Sequence, residues 1–212
     1  MSLATVSRYL DFIKARPEEF VAGDIEIITD KQTMLEFEKE HQCDLGFLYE
    51  SPYHILLKDL VRSENRIFAY ERILKQHTGN AVVVIPIYED NFVLLKQFRH
   101  SMRDVQLCFP RGFGEPDIST AENACKEIGE ELGCSVISCE IIGKTVADSG
   151  MCGEKVSICL CRITKPVLKI DYEGIKNIEL VSFSELTELI RQDKINDGFT
   201  LSAFGLYMAK NK

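Results

Sequence analysis

The sequence predicts a mixed α/β sandwich, and three observations carry that reading. Strand-like apolar runs alternate irregularly with a few helical segments, without a steady β-α-β repeat. Residues 81–88, Ala-Val-Val-Val-Ile-Pro-Ile-Tyr, are almost continuously apolar, as in a strand covered on both faces. A well-bounded helix follows a glycine-rich stretch: Ser119 and Glu122 form a capping box, and Gly133 suits a left-handed stop.

The remaining elements follow in order. Leu3, Val6, Leu10 and Ile13 recur at helical spacing, and Pro17 ends that run. A short strand over 25–28 precedes a second helix over 31–41, with Met34, Leu35 and Phe37 apolar. From Gly46 the texture turns to strands over 47–49, 53–61 and 66–74, joined by short polar segments as in hairpins. Tyr53, Tyr70 and Arg72 are candidates there for holding a base, beside the plain reading as sheet residues.

Thr78-Gly79-Asn80 breaks the pattern. The apolar strand 81–88 turns at Glu89-Asp90-Asn91 into 92–97, and 105–109 is another strand. After the bounded helix, 136–146 reads as one or two strands, 155–163 and 176–181 as one each. Loops fall at 148–154 and 171–174. A second capping box, Ser182 with Glu185, opens a helix to about residue 192, and a last helix runs over 200–209. The organisation is a mostly helical extension over 1–45, a β region over 46–78 that is a candidate for dimerisation, and a main domain over 79–212.

With 212 residues, 45% hydrophobic and 27% charged, the composition is that of an ordinary soluble globular protein. A net charge of −8 opposes general binding to nucleic acid or anionic membrane, yet is no obstacle to a small anionic substrate presented with a divalent metal. No apolar run is long enough to span a bilayer, and Arg8, Asp11, Lys14 and Arg16 interrupt any secretory pattern, so the expected place is the cytoplasm. Eight cysteines lack any C-x2-C pair. Cys108, Cys125, Cys139, Cys159 and Cys161 read as reduced core residues.

The chemistry concentrates in residues 110–133. Ala121, Ala124, Cys125, Ile128 and Leu132 form the apolar stripe of the helix, and Glu127, Glu130 and Glu131 crowd the other side. Three adjacent carboxylates repel one another unless neutralised, which points to a hard divalent cation such as Mg²⁺ or Mn²⁺. A solvated acidic face, with Lys126 paired to Glu122 and Glu130, accounts for the same spacing.

The stretch resembles the Nudix box, G-x5-E-x7-R-E-U-x-E-E-x-G-U, with Gly112, Glu127, Ile128, Glu130, Glu131 and Gly133 in register. It departs at Ile118, where the first Glu belongs, at Lys126 in place of Arg, and at Cys134 in the last apolar place. Glu115, Asp117 and Glu122 are the acids near enough in sequence to compensate. Similarity to ADP-ribose pyrophosphatase-like members continues in 96–99 (Lys-Gln-Phe-Arg), 109–112 (Phe-Pro-Arg-Gly), 149–154 and the Ile195-x-Asp197-x-x-Thr200-x-x-Ala203 ending.

The resemblance implies a Nudix-type α/β/α sandwich over 79–212 and a metal-dependent hydrolase that cleaves a nucleoside diphosphate sugar, with ADP-ribose the leading substrate. It implies Glu127 and Glu131 as ligands of Mg²⁺ or Mn²⁺, with Glu130 as ligand or support, and Gly112 offering backbone carbonyls nearby. Arg99 would meet diphosphate or sugar, and Arg111 would hold phosphate or fill the place of a metal. The general base falls to Glu173 or, second, Glu154. A homodimer is the expected assembly. A nucleotide-binding protein weakened by Ile118 and Lys126, or a hydrolase of another nucleotide, are the alternatives.

Overall fold

The structure, a computed structural model, describes residues 3–77, 79–168 and 173–210. Met1, Ser2, Thr78 and the Asp171-Tyr172 half of the 171–174 loop lie outside the described residues. The chain divides into two compact units, one reaching to Gln76 and including Asp148–Glu154, the other made of His77–Ala147 and the residues from Lys155 onward. No described helix is long and apolar enough to cross a membrane.

In the first unit, helices α1 (Leu3–Ala15) and α2 (Lys31–His41) pack on a sheet of β1 (Glu26–Ile27), β2 (Gly46–Glu50), β3 (His54–Ser63) and β4 (Arg66–Lys75). Every pairing is antiparallel and runs through β3. Val6 and Tyr9 of α1, Met34 of α2 and Leu57 and Leu60 of β3 share one core, so α1 and α2 pack with the strands that follow them. Asp30 caps α2 by accepting from Thr33 N at 2.8 Å. The buried Glu38 accepts from Leu45 N at 2.8 Å.

This unit also accounts for the aromatic and cationic candidates. The Tyr9 hydroxyl donates to the buried Asp59, which also accepts from Arg72 Nε at 2.5 Å. Arg72 Nη1 donates to Glu19 O at 2.8 Å. Arg72 is therefore committed to a structural network. The Tyr70 hydroxyl donates to the Gly150 carbonyl, whereas Tyr53 is exposed.

The second unit holds β5 (Val82–Tyr88), β6 (Asn91–Arg99), β7 (Asp104–Cys108), β8 (Arg111–Gly112), α3 (Thr120–Glu131), β9 (Val136–Thr145), β10 (Val156–Ile163), β11 (Ile175–Val181), α4 (Phe183–Arg191) and α5 (Gly198–Lys210). Its sheet runs β11-β6-β5-β10-β9, with β5 and β10 parallel, and with β7 on β6 and β8 on β5. Alternation along β5 explains its unbroken apolar run. Val83, Ile85 and Ile87 meet Leu186 of α4 and Phe204 of α5 on one face. Val82 and Val84 meet Ala124 and Ile128 of α3 on the other.

An α/β/α sandwich with a mixed sheet results, as the sequence predicts. Two details differ from that reading. Arg111–Gly112, read as loop, pairs with Val82–Val83 as a two-residue strand too short to show in a pattern. The stripe of α3 is also narrower than its spacing implies: Ala124 and Ile128 are buried, while Ala121 and Cys125 lie exposed at its flank.

Candidate active site

The site is built where β8 runs under α3. Both cap groups of Ser119 and Glu122 are in place, so Glu122 is spent on the helix start. Its partner is the cap and not Lys126. Asn123, fully buried, donates to Asn80 O at 2.7 Å and Phe113 O at 2.9 Å. Asn80 Nδ2 donates to Ile118 O at 2.8 Å. These bonds lash the glycine-rich loop to α3.

Gly112 carries the closest approach. A Cβ there would lie 2.0 Å from Glu127 Oε1 and 2.1 Å from its Cδ, so the Glu127 side chain lies directly on the Gly112 backbone. One turn on, Glu131 is buried and accepts from Arg111 N at 3.2 Å. Burial, then the charge of Glu127, pushes the Glu131 carboxyl up to about 8, against the opposing pull of Arg99 and the Arg111 N–H. Burial also raises Glu127, which Lys126 partly offsets. The charge of Glu173 raises both, so Glu173 acts on this pair.

Glu173 is placed by a tight turn. It has φ +45° and Gly174 φ +77°, two left-handed residues in succession. Gln97 Nε2 donates to Glu173 O at 3.0 Å, and Phe98 N to Gly174 O at 2.9 Å, which pins the turn to the end of β6 beside Arg99. Arg99 Nη2 reaches Cys108 Sγ at 3.1 Å, while its Nε is buried with no hydrogen-bond partner among the described residues.

Other candidates have different attachments. Arg111 Nη1 pairs with Asp197 Oδ1 at 3.1 Å, and its guanidinium lies 5.1 Å from the Phe199 ring centroid. Asp197 also accepts from Thr200 N and Oγ1 at 2.9 and 2.7 Å, and Thr200 Oγ1 accepts from Phe109 N at 2.9 Å. The Ile195–Ala203 ending thus ties the start of α5 to the residues leading into β8. Glu154 belongs to the first unit, 3.5 Å from Lys75 Nζ.

Lys126 Nζ lies 3.0 Å from Glu115, 3.1 Å from Glu130 and 3.5 Å from Glu127. Hydrogen bonding to Glu115 raises its pKa foremost. Of the three acids near Ile118, the structure brings Glu115 to the cluster. Asp117 stands exposed at φ +69°. Among the described residues, no group of three or more His, Cys, Asp or Glu side chains is arranged to hold a metal ion. The ammonium of Lys126 pairs with Glu130 and lies within reach of Glu127. The donors nonetheless suit a hard cation: two buried carboxylates one turn apart, all oxygen.

No family model matches the chain. ADP compounds hydrolase NudE of Escherichia coli (strain K12) is 31% identical over 64 residues, 30% of this chain and 34% of that relative, so the match spans about a third of the relative's length. A crystal structure of an ADP compounds hydrolase superposes with a TM-score of 0.68 at 20% identity, covering 78% of this chain and 90% of the other. In sequence over that stretch, and in fold over most of its length, the chain is similar to ADP compounds hydrolases, and its architecture is the Nudix-type α/β/α sandwich.

Proposed function

We propose that this protein is a Nudix-type hydrolase that cleaves the diphosphate of a nucleoside diphosphate sugar, ADP-ribose foremost, into a nucleoside monophosphate and a sugar phosphate. The observation that carries the reading is the buried pair Glu127 and Glu131, one laid on Gly112 and the other held by the Arg111 N–H. Two buried acids that repel each other are costly in a purely structural role. The likeness to ADP compounds hydrolases supplies the substrate class.

Glu127 and Glu131 would hold Mg²⁺ or Mn²⁺, with Glu130 joining when it leaves Lys126. Such an ion supplies charge neutralisation at the diphosphate and a more acidic water. Arg99, whose buried Nε–H has no partner among the described residues, binds a phosphate oxygen by a charge-assisted hydrogen bond. Glu173 takes the proton of the attacking water, its charge already acting on both carboxylates. Glu154 is the second choice for that role. Arg111 is a positioning residue through Asp197. The same reading includes a cytoplasmic homodimer built on residues 46–78, which light scattering of the purified chain tests directly.

Hydrolysis of a panel of ADP-ribose, other sugar nucleotides and nucleoside triphosphates, with Mg²⁺ or Mn²⁺ and with chelator, tests the proposal. Chelator-sensitive release of AMP and ribose phosphate supports it, and preference for another substrate moves the reading to that nucleotide. A second reading, a nucleotide-binding module without turnover, is favoured by one observation: Lys126 fills the centre of Glu115, Glu127 and Glu130. Nucleotide binding without turnover of any compound would establish it.

A further inference from the structure

The core on the α3 side of the second unit is rich in thiols, with Cys108, Cys159 and Cys161 buried in it and Cys134 and Cys139 packed against it. Cys159 and Cys161 alternate along β10, so both project into the same apolar core as Val82, Val84 and Ile128. Cys139, on β9, is the direct cross-strand partner of Cys161. All are free. Cys139, Cys159 and Cys161 have no part in the proposed hydrolysis.

We propose that Cys139 and Cys161 form a dithiol site that hydrogen peroxide converts to an intrachain disulfide. Directly opposed residues of an antiparallel ladder have Cα atoms about 4.5 or 5.5 Å apart, and both separations fall inside the range of about 4.4–6.8 Å that a disulfide spans. The two cysteines also differ in access. Cys139 is half-buried on β9, the edge strand of the sheet, between Ile137 and Ile141, which are exposed. Cys161 is fully buried.

That difference orders the chemistry. Peroxide transfers one oxygen to Cys139 Sγ, leaving a sulfenic acid and releasing one water. The sulfur of Cys161 then attacks Cys139 Sγ, its S–H bond breaks, and the hydroxyl leaves with that proton as a second water. Two thiols are oxidised by two electrons, and peroxide is reduced to two waters. Burial pushes the Cys159 thiol up to about 12 and Cys161 higher still, which slows attack by either, so Cys161 resolves the sulfenic acid through its fixed place opposite Cys139 and not through thiolate character. The neighbouring thiol captures the sulfenic acid before a second peroxide carries it to sulfinic acid.

The full chain is treated with peroxide, quenched, and examined by intact mass and by tandem mass spectrometry of tryptic peptides without reductant. A monomer lighter by two hydrogens, with Cys139 linked to Cys161 and restored by dithiothreitol, is the expected result. Cys139→Ser and Cys161→Ala each abolish the link, Cys159→Ala keeps it, and Cys161→Ala leaves a Cys139 sulfenic acid that dimedone captures. Cys139→Ser changes a half-buried position, so it reads the link even where Cys161→Ala does not fold. An unchanged mass, oxidation of Cys139 to sulfinic acid in the wild-type chain, or a link from Cys139 to Cys125 or Cys159 overturns the assignment. This outcome is independent of any hydrolytic activity.

Discussion

Glu127 lies so close on Gly112 that a methyl group at position 112 would sit 2.0 Å from Glu127 Oε1. The glycine is thus the floor on which the carboxylate rests. Gly112→Ala pushes a charged side chain out of its buried place, and its effect divides in an informative way. Release of a buried carboxylate offsets part of the overpacking, so the stability cost stays near the low end of the usual 1–3 kcal/mol, about 1 kcal/mol. Hydrolysis of ADP-ribose falls by about 100-fold or more, because displacement by an ångström is enough for that loss. Melting curves beside kcat/KM decide it: near-normal activity means that Glu127 does not work from this position.

Glu131 makes stability depend on pH in the metal-free protein. Its carboxyl is raised from 4.5 to about 8, so the folded chain holds a proton that the unfolded chain releases at lower pH. The contribution is full below 4.5, falls as pH rises from there to about 8, and levels off above. At neutral pH the loss approaches about 3 kcal/mol as an upper limit. Glu131→Gln, uncharged throughout, is therefore more stable than the parent at pH 7.5 in chelator, by on the order of 2 kcal/mol, while losing hydrolysis. Mg²⁺ narrows the difference by stabilising the parent alone. Parallel denaturation profiles for the two proteins between acid and neutral pH would falsify this account.

Lys126 couples Glu115 to α3, which supplies an acid to the cluster that Ile118 does not. The Ile118 side chain is half-buried, and its backbone carbonyl is already used by Asn80. Ile118→Glu is expected to change kcat/KM by no more than about 2-fold, since the charge balance of the cluster is already met by Glu115. Glu115→Gln costs about 0.5 kcal/mol, as the pair is partly exposed, and lowers activity more than Ile118→Glu raises it. A large gain from Ile118→Glu would show instead that the natural site is missing an acid.

The layers were legible in sequence because their signals are local and strong. The apolar run of β5, the capping boxes at Ser119 and Ser182 and the stop at Gly133 each act within a few residues, and all four formed as read. The site was legible only where its members share one helix. Glu127 and Glu131 follow from helical spacing, but the partner of Lys126 does not: Glu115 is eleven positions away on a loop whose path is set by Asn80 and Asn123. Arg111 illustrates the same limit, since its charge looked free for phosphate until Asp197, 86 residues on, was brought beside it. Cys125 showed the opposite failure, an apolar residue at core spacing that the sheet leaves uncovered.

Thr200 gives the last prediction, because one buried hydroxyl serves two directions. It accepts from Phe109 N at 2.9 Å and donates to Asp197 Oδ2 at 2.7 Å, while Asp197 Oδ1 holds Arg111 at 3.1 Å. Thr200→Val keeps the shape but leaves the Phe109 N–H buried and unsatisfied, at a cost of about 1–3 kcal/mol. Thr200→Ser keeps both bonds and forgoes a methyl group, so it costs about 1 kcal/mol. Asp197→Asn loses the ion pair yet retains a side-chain oxygen to cap α5, so it disturbs Arg111 more than the fold. Urea unfolding should therefore rank Thr200→Val below Thr200→Ser, and ADP-ribose kinetics should show Asp197→Asn impaired beyond its loss of stability. If Thr200→Val unfolds at the same urea concentration as Thr200→Ser, the hydroxyl is not what fastens Phe109 to α5.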